Sequence, residues 1–210
     1  AANDGNVSVK LEDGTFLCTP SGVSKAAMTP EILVHLAADG SVISAAEGYK
    51  PSSEMKMHFR CYAEREDVKA VVHAHPPIAT SYASMGRALD GYQAMEFIVN
   101  LGAVPIAPYA QPSTDEVSDS IAPFLQDHDA ILLAHHGALT VGDSLTRAYF
   151  RMESLEMFAK TSLYIHLLGG APDMSQDKID ALIDLRKNGY KIPGRHPGYV
   201  KYNEPEGDNQ

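Results

Sequence analysis

Histidine is the residue type whose placement in this chain points first to chemistry. The run Val71-Val72-His73-Ala74-His75-Pro76-Pro77 is apolar until it ends in two histidines at i and i+2. On a β-strand that spacing puts both imidazoles on one face, and the two prolines stop the strand directly afterwards. A second apolar run, Ile131-Leu132-Leu133-Ala134, ends in His135-His136-Gly137. Two buried strands that both finish in histidine predict one metal site with imidazole nitrogens as ligands, the third drawn from His135 or His136.

The elements that must carry these histidines follow from pattern and turn chemistry. Val7, Val9 and Leu11 alternate with polar residues between the turn signals Asp4-Gly5-Asn6 and Glu12-Asp13-Gly14, which predicts a hairpin leading into Phe16-Leu17-Cys18-Thr19. Thr19-Pro20-Ser21-Gly22 reads as a plain turn, or as a loop whose hydroxyls and amides hold an anion. A second hairpin is expected between Ile32 and Ala45 around Asp39-Gly40, and Thr29-Pro30-Glu31 could equally start a short helix. Lys50-Pro51-Ser52-Ser53-Glu54 has the form of a helix start, with Met55, Met57, Phe59 and Tyr62 behind it and an end near Arg65. Ser52 and Ser53 can serve there as caps or, with the free amides of the first turn, as a phosphate site; Glu54 suits the helix dipole with or without a further role.

Further along, a short helix is expected from Ile78 to Met85, an edge strand or extended connection from Val104 to Pro108, and a helix from the Ser113-Thr114-Asp115-Glu116 cap to about Leu125. Asp129 to Ala134 is the strand that reaches His135-His136. Asp143-Ser144 caps the longest helix, in which Leu145, Tyr149, Met152, Leu155, Phe158, Ala159 and Leu163 recur at spacings of three and four, and Gly169-Gly170 ends it. A last helix, Asp177 to Lys187, precedes Gly189-Tyr190 and a Pro/Gly-rich tail expected to be loose at its end. Strands in both hairpins and helix-linked units predict an α/β or α+β class in three layers, without internal repeats.

Composition bounds the function. A chain of 210 residues with 44% hydrophobic content can build one sizeable core, so a single domain over 1–210 is expected. The formal charge is -10 with no run of Lys or Arg, which makes nucleic acid and anionic membranes poor partners. An anionic small substrate would need local positive charge, and a metal ion and helix N-termini can supply it. Cys18 and Cys61 form no Cys-x-x-Cys pair, which fits reduced thiols in the cytoplasm. No apolar stretch approaches 18 residues and no signal-type start is present, so a soluble, unexported protein is expected. The polar opening at Ala1, without methionine, is read as a missing original N-terminus.

Taken together, Gly5-Asn6, Thr19-Pro20-Ser21-Gly22, Pro51-Ser52-Ser53-Glu54, His73-Ala74-His75 and His135-His136-Gly137 resemble the class II aldolase/adducin family, most closely its L-fuculose-1-phosphate aldolase branch. The motifs stand in the family's order over most of the chain. Glu54 precedes His73 by 19 residues and His75 precedes His136 by 61, separations which that branch shares. The family's helix before the Gly-Asn turn has almost no counterpart here.

The resemblance implies a three-layer α/β/α fold with a central, mostly antiparallel sheet. It implies His73, His75 and His136 as metal ligands, His136 because the family's ligand directly precedes the glycine, with Glu54 as fourth ligand and general base. The implied ion is Zn²⁺ or another divalent first-row metal, and Asn6, Ser21, Gly22, Ser52 and Ser53 match positions that hold a substrate phosphate. The implied reaction is the reversible cleavage of a ketose 1-phosphate, L-fuculose-1-phosphate-like, to dihydroxyacetone phosphate and an aldehyde. Tyr190 matches a tyrosine that reaches a neighbour's site as proton donor, in a homo-oligomer, a tetramer with sites at the interfaces. A second family tyrosine falls on Ala94, with Tyr92 and Glu96 nearby. Other enzymes on this scaffold are 4-epimerases, which tend to carry aspartate where Glu54 stands, and dehydratases; adducin-like heads keep the fold for assembly without the histidines.

Overall fold

The computed structural model describes residues 3–203. The alternating segment near the start forms β1 (Asn6–Lys10), which returns through Asp13-Gly14 into β2 (Phe16–Cys18). Asp13 fixes that turn by accepting from the Thr15 amide at 2.9 Å and the Thr15 hydroxyl at 2.6 Å. The second hairpin, β3 (Val34–Leu36) and β4 (Val42–Ser44), repeats the device with Asp39 and Ser41. Pro30–Ile32 before it is a single 3-10 turn.

With β5 (Ala70–Ala74), β6 (Ile106–Ala107), β7 (Ala130–Leu133) and β8 (Gly137–Gly142) these strands make one eight-stranded sheet in the order β4-β3-β2-β1-β5-β8-β7-β6. Every pairing is antiparallel except β6 on β7. The helices are α1 (Met55–Glu64), α2 (Pro77–Ser84), α3 (Met95–Asn100), α4 (Glu116–Ile121), α5 (Leu145–Leu167) and α6 (Gln176–Asp184).

Period-two alternation divides the strand side chains between two cores. Val71, Ile131, Leu133, Leu139 and Val141 face Met57, Cys61 and Tyr62 of α1 and Val117 and Ile121 of α4. Ala70, Val72, Ala130, Leu132 and Ala138 face Ala79 and Ala83 of α2 and Met152, Leu155, Phe158 and Ala159 of α5. Because both faces of β5 and β7 are covered, these strands read in sequence as continuous apolar runs. The small residues on the second face let α5 lie close to the sheet: a β-carbon on Gly142 would come within 2.6 Å of the Ala148 amide nitrogen. The expected three-layer α/β/α arrangement with a mostly antiparallel sheet is what the chain forms.

Two elements lie outside the expected set. β8 follows β7 after only Ala134-His135-His136, with His135 at φ +58°, and α3 spans six residues. Elsewhere boundaries move: α4 ends at Ile121, followed by a 3-10 turn over Ala122–Phe124, and α6 passes into a wider π turn over Leu185–Gly189. Tyr92 is buried, and its hydroxyl accepts from the Val200 amide at 2.7 Å while donating to the Val200 carbonyl at 2.9 Å. Asp90 accepts from the Tyr202 and Asn203 amides, so the tail is pinned as far as Asn203. The expected looseness of its end concerns 204–210, outside the described residues. Among the described residues no helix is long and apolar enough to cross a membrane.

Candidate metal centre

The two histidine-terminated strands meet at one end of the sheet. His73 leaves β5 toward the α1 layer, His75 follows just beyond the strand, and His136 sits in the turn joining β7 to β8. One ring nitrogen from each lies within 4.8 Å of the others. His73 Nδ1 donates to the Ala138 carbonyl at 2.9 Å, which fixes the tautomer and turns the Nε2 lone pair into the cluster, 3.1 Å from His75 Nε2. His135 is exposed, and its ring is beside Tyr109. His136 is therefore the third member of the cluster.

Glu54 approaches the cluster from the α1 N-terminus. Its Oε1 is 3.1 Å from His136 Nε2 and its Oε2 is 3.7 Å from His73 Nε2. Burial alone would raise this carboxyl, but the hydrogen bond with His136, the His73 ring and the Asn6 amide hold it down at about 2. Burial pushes His73 down to about 4 despite the nearby carboxylate, and it also lowers His75. Two neutral imidazoles and a carboxylate are thus ready near neutral pH without first losing protons to a metal. Three clustered imidazole nitrogens, with the Glu54 carboxylate beside two of them, are a donor set that fits a divalent first-row ion.

Backbone geometry holds the imidazoles in place. Gly5, at φ +75°, lets β1 start against β5, since a β-carbon there would lie 2.6 Å from the His73 carbonyl oxygen. A β-carbon on Gly137 would lie 2.5 Å from His75 Cδ2 and 2.7 Å from the Ala74 carbonyl oxygen. Gly137→Ala is therefore expected to push His75 off the cluster and weaken zinc binding by about 10-fold or more, read by titration against a chelating dye. Wild-type affinity in the variant would mean that His75 contributes nothing to the site.

The expected phosphate residues come together only in part. An isolated bridge pairs Pro20 with Pro51, and the Ser21 amide donates to the Lys50 carbonyl at 2.8 Å, so the Ser21-Gly22 loop lies beside Ser52 and Ser53. Ser52 Oγ accepts from the Glu54 amide at 3.3 Å just ahead of α1, but the cap position falls on Glu54 and no side chain caps the helix, unlike the expected serine cap. Ser53 is exposed, and its hydroxyl pairs with Ser113 at 2.8 Å. Asn6 has another occupation in this structure: its side-chain amide donates to Glu54 Oε2 at 2.6 Å and to Ser52 Oγ at 3.3 Å, while Oδ1 accepts from His58 Nε2 at 2.6 Å.

Tyr190 is exposed and stands apart from its own chain's cluster. It follows Arg186, whose guanidinium reaches the Val99 carbonyl at 2.8 Å and Asp129 at 3.9 Å, at the opposite end of β7 from His136. Tyr92 is committed to the tail and Glu96 is exposed in the first turn of α3, so neither takes the place of the family tyrosine.

Sequence reading missed Ser113 and Lys25. Ser113 adopts φ +67°, a strained conformation foreshadowed only by its place in a Gln-Pro-Ser-Thr turn. Lys25 lines an open groove of about 1240 Å³ that borders His73 and His75, and Asp4 and Glu54 partly offset the lowering of its amine by burial. Its ammonium donates to the Asn3 carbonyl at 2.8 Å.

Comparison with known proteins agrees with this geometry. The family described as Class II Aldolase and Adducin N-terminal domain matches residues 1–163. A 3-oxo-tetronate 4-phosphate decarboxylase of Escherichia coli (strain K12) is 35% identical over 173 residues, 80% of this chain and 78% of the relative. The L-fuculose phosphate aldolase of the same strain is 32% identical over 186 residues, 87% of this chain and 84% of the relative. A solved structure of L-fuculose 1-phosphate aldolase superposes with a TM-score of 0.80 at 28% identity, over 89% of this chain and 87% of that one. With the family matched over residues 1–163 and relatives 32% to 35% identical over most of the chain, the chain belongs to the class II aldolase and adducin family.

Proposed function

We propose that the protein is a metal-dependent lyase that breaks a carbon–carbon bond beside the ketone of a sugar phosphate. More narrowly, it is an aldolase that reversibly cleaves a ketose 1-phosphate of the L-fuculose 1-phosphate type to dihydroxyacetone phosphate and an aldehyde. The observation that carries this reading is Glu54, placed by the α1 N-terminus against three clustered imidazoles and held on its other side by Asn6. A zinc or similar divalent ion bound by His73, His75, His136 and Glu54 would polarise the substrate ketone and stabilise the charge left on the adjacent carbon. Glu54, after taking a proton from solvent, would give it to that carbon in the cleavage direction and remove one in the reverse.

Ser21, Gly22, Ser52 and Ser53 hold the phosphate at the end of α1, with Asn6 between that pocket and the carboxylate. Ser53→Ala is expected to raise KM for a phosphorylated ketose more than for the free sugar, since the hydroxyl serves the dianion. Equal effects on the two substrates would reject the assignment.

The same reading makes the working enzyme a homo-oligomer, a tetramer, in which a neighbouring subunit supplies Tyr190 to the aldehyde oxygen. Two features support it. Tyr190 lies far from its own cluster, and α5 leaves Phe150, Met157 and Tyr164 exposed at seven-residue spacing, an apolar stripe along one helix face. Cys18 and Cys61 are buried free thiols, in keeping with a cytoplasmic enzyme.

A second reading is a decarboxylase for a phosphorylated 3-oxo acid, favoured by Ala94 at the position of the aldolase tyrosine and by the 35% identical relative. Loss of carbon dioxide leaves the bonding electron pair on the carbon beside the ketone, where Glu54 supplies the proton just as it does after loss of an aldehyde. Zinc-loaded protein assayed with several ketose 1-phosphates and with 3-oxo-tetronate 4-phosphate tests both. Aldehyde release with dihydroxyacetone phosphate supports the aldolase, carbon dioxide release supports the decarboxylase, and turnover of neither class would overturn the proposal.

A further inference from the structure

Beneath α1 a line of polar side chains leads away from Glu54 into the apolar layer. Glu54, His58 and Tyr62 recur every fourth residue, so they lie along one stripe of the helix. Asn6 and Ser8, two apart on β1, share the strand face that meets this stripe. The helical rise over four residues, about 6 Å, nearly equals the rise over two strand residues, so the two sets interleave. Tyr62 Oη is 2.8 Å from Ser8 Oγ, Ser8 Oγ is 2.7 Å from His58 Nδ1, His58 Nε2 is 2.6 Å from Asn6 Oδ1, and Asn6 Nδ2 is 2.6 Å from Glu54 Oε2. Asn6, Ser8, His58 and Tyr62 are all buried.

The direction of every proton in this line follows from its two ends. A carboxylate only accepts, so Asn6 must present its NH₂ to Glu54 and its carbonyl oxygen to His58. His58 must then carry its proton on Nε2, which leaves Nδ1 as an acceptor. Ser8 donates to Nδ1, and its oxygen in turn accepts a hydrogen bond from the Tyr62 hydroxyl. Burial holds the His58 imidazole far below its ordinary value, at about 3, so the ring is neutral near pH 7 and has a single proton to place.

We propose that His58 is a positioning residue for the reaction: with Ser8 and Tyr62 behind it, it locks the Asn6 amide in the orientation that aims Glu54. A carboxylate that leaves the metal to move a proton at carbon needs a fixed second contact, and the Asn6 N–H is that contact. Without the His58 donor the Asn6 amide can rotate and turn its oxygen toward Glu54, which would repel the carboxylate from its working position. This inference rests on the role given to Glu54 above, and Tyr62 stands four hydrogen bonds away from Glu54 at the far end of the line.

Two measurements test it. In ¹⁵N-histidine NMR of zinc-loaded protein, His58 is expected to show a protonated Nε2 and a bare Nδ1, and Ser8→Ala is expected to keep that tautomer, because the Asn6 carbonyl still accepts from Nε2. A charged His58 ring, or a proton on Nδ1 in the wild type or in Ser8→Ala, overturns the proposal. The second measurement is deuterium uptake from D₂O into dihydroxyacetone phosphate, the product common to both readings of function. His58→Leu should slow exchange by about 10-fold to 100-fold, as for a misaligned catalytic group, with zinc content and KM near wild type. His58→Gln, whose amide can still donate to Asn6, should recover most of the rate, and the near-isosteric Tyr62→Phe should lose only several-fold. Equal losses in His58→Leu and His58→Gln, or losses that follow zinc content, would overturn it. If the wild-type protein exchanges no deuterium, the functional reading fails at Glu54 itself, and the tautomer measurement alone decides the hydrogen-bond line.

Discussion

Replacing Glu54 with glutamine is expected to lower turnover by roughly 10² to 10⁴ while zinc content and fold stay close to wild type, the range for loss of a general acid–base group. Glutamine keeps the length of the side chain and an oxygen that can accept from Asn6 Nδ2, so the hydrogen bond at 2.6 Å has a replacement. The three imidazoles still supply nitrogen ligands, which is why metal should remain. Only the ability to carry a proton is removed. Turnover within a few-fold of wild type would mean that Glu54 serves only the helix end and the metal. A control in metal-free protein follows from its lowered acidity. A carboxyl held at about 2 in the fold and near 4.5 when unfolded contributes stability above pH 4.5, which is lost as pH falls toward 2. The wild type's stability advantage over Glu54→Gln should therefore be present at pH 7 and fade across that acidic window.

The largest effect on stability is expected at the other end of the sheet, at Asp129. This carboxylate is buried just before β7, with Arg65 Nη1 2.7 Å from Oδ1, Arg151 Nη2 2.6 Å from Oδ2 and Arg186 Nη2 at 3.9 Å. The Arg195 amide also donates to Oδ2 at 2.9 Å. Arg65 has a second carboxylate in Asp67, but Arg151 and Arg186 otherwise meet carbonyl oxygens. Burial depresses the Arg186 guanidinium to about 10, with Asp129 working against that fall. Asp129→Ala would leave buried cations without their counter-charge, a change that costs about 3 to 5 kcal/mol in comparable settings. Urea unfolding of the two proteins measures it; a difference below about 1 kcal/mol would show that the carbonyl oxygens suffice. Because Arg151 also holds the Pro193 carbonyl, the tail from Tyr190 onward should become more sensitive to protease, while zinc binding at the opposite sheet end should survive.

The sequence alone pointed to His73, His75 and one of His135 and His136 as candidate ligands, and to the strands that bear them. Both follow from local rules: an apolar strand buried on two faces is visible as a run, a proline pair or a glycine marks its end, and the histidines at those ends need no knowledge of distant residues. The hairpins, the long α5 and the Pro51-Ser52-Ser53-Glu54 entry to α1 are legible for the same reason, since their signals lie within a few residues of one another, although Glu54 rather than a serine takes the cap position. What the tertiary structure decided is what depends on pairs far apart in the chain. β8 is a strand because β5 and β7 flank it, not because Gly137-Ala-Leu-Thr-Val-Gly favours one. Asn6 faces Glu54 and His58 because β1 lies under α1, and Tyr92 anchors the tail because Val200 returns to it. Asp129 and its arginines, spread from Arg65 to Arg186, become one charge cluster only when β7, α5 and the tail are packed together. Hydrogen bonds and buried ion pairs are short-ranged and directional, so which polar groups satisfy one another is fixed by the packing of elements and leaves no periodic trace in the sequence.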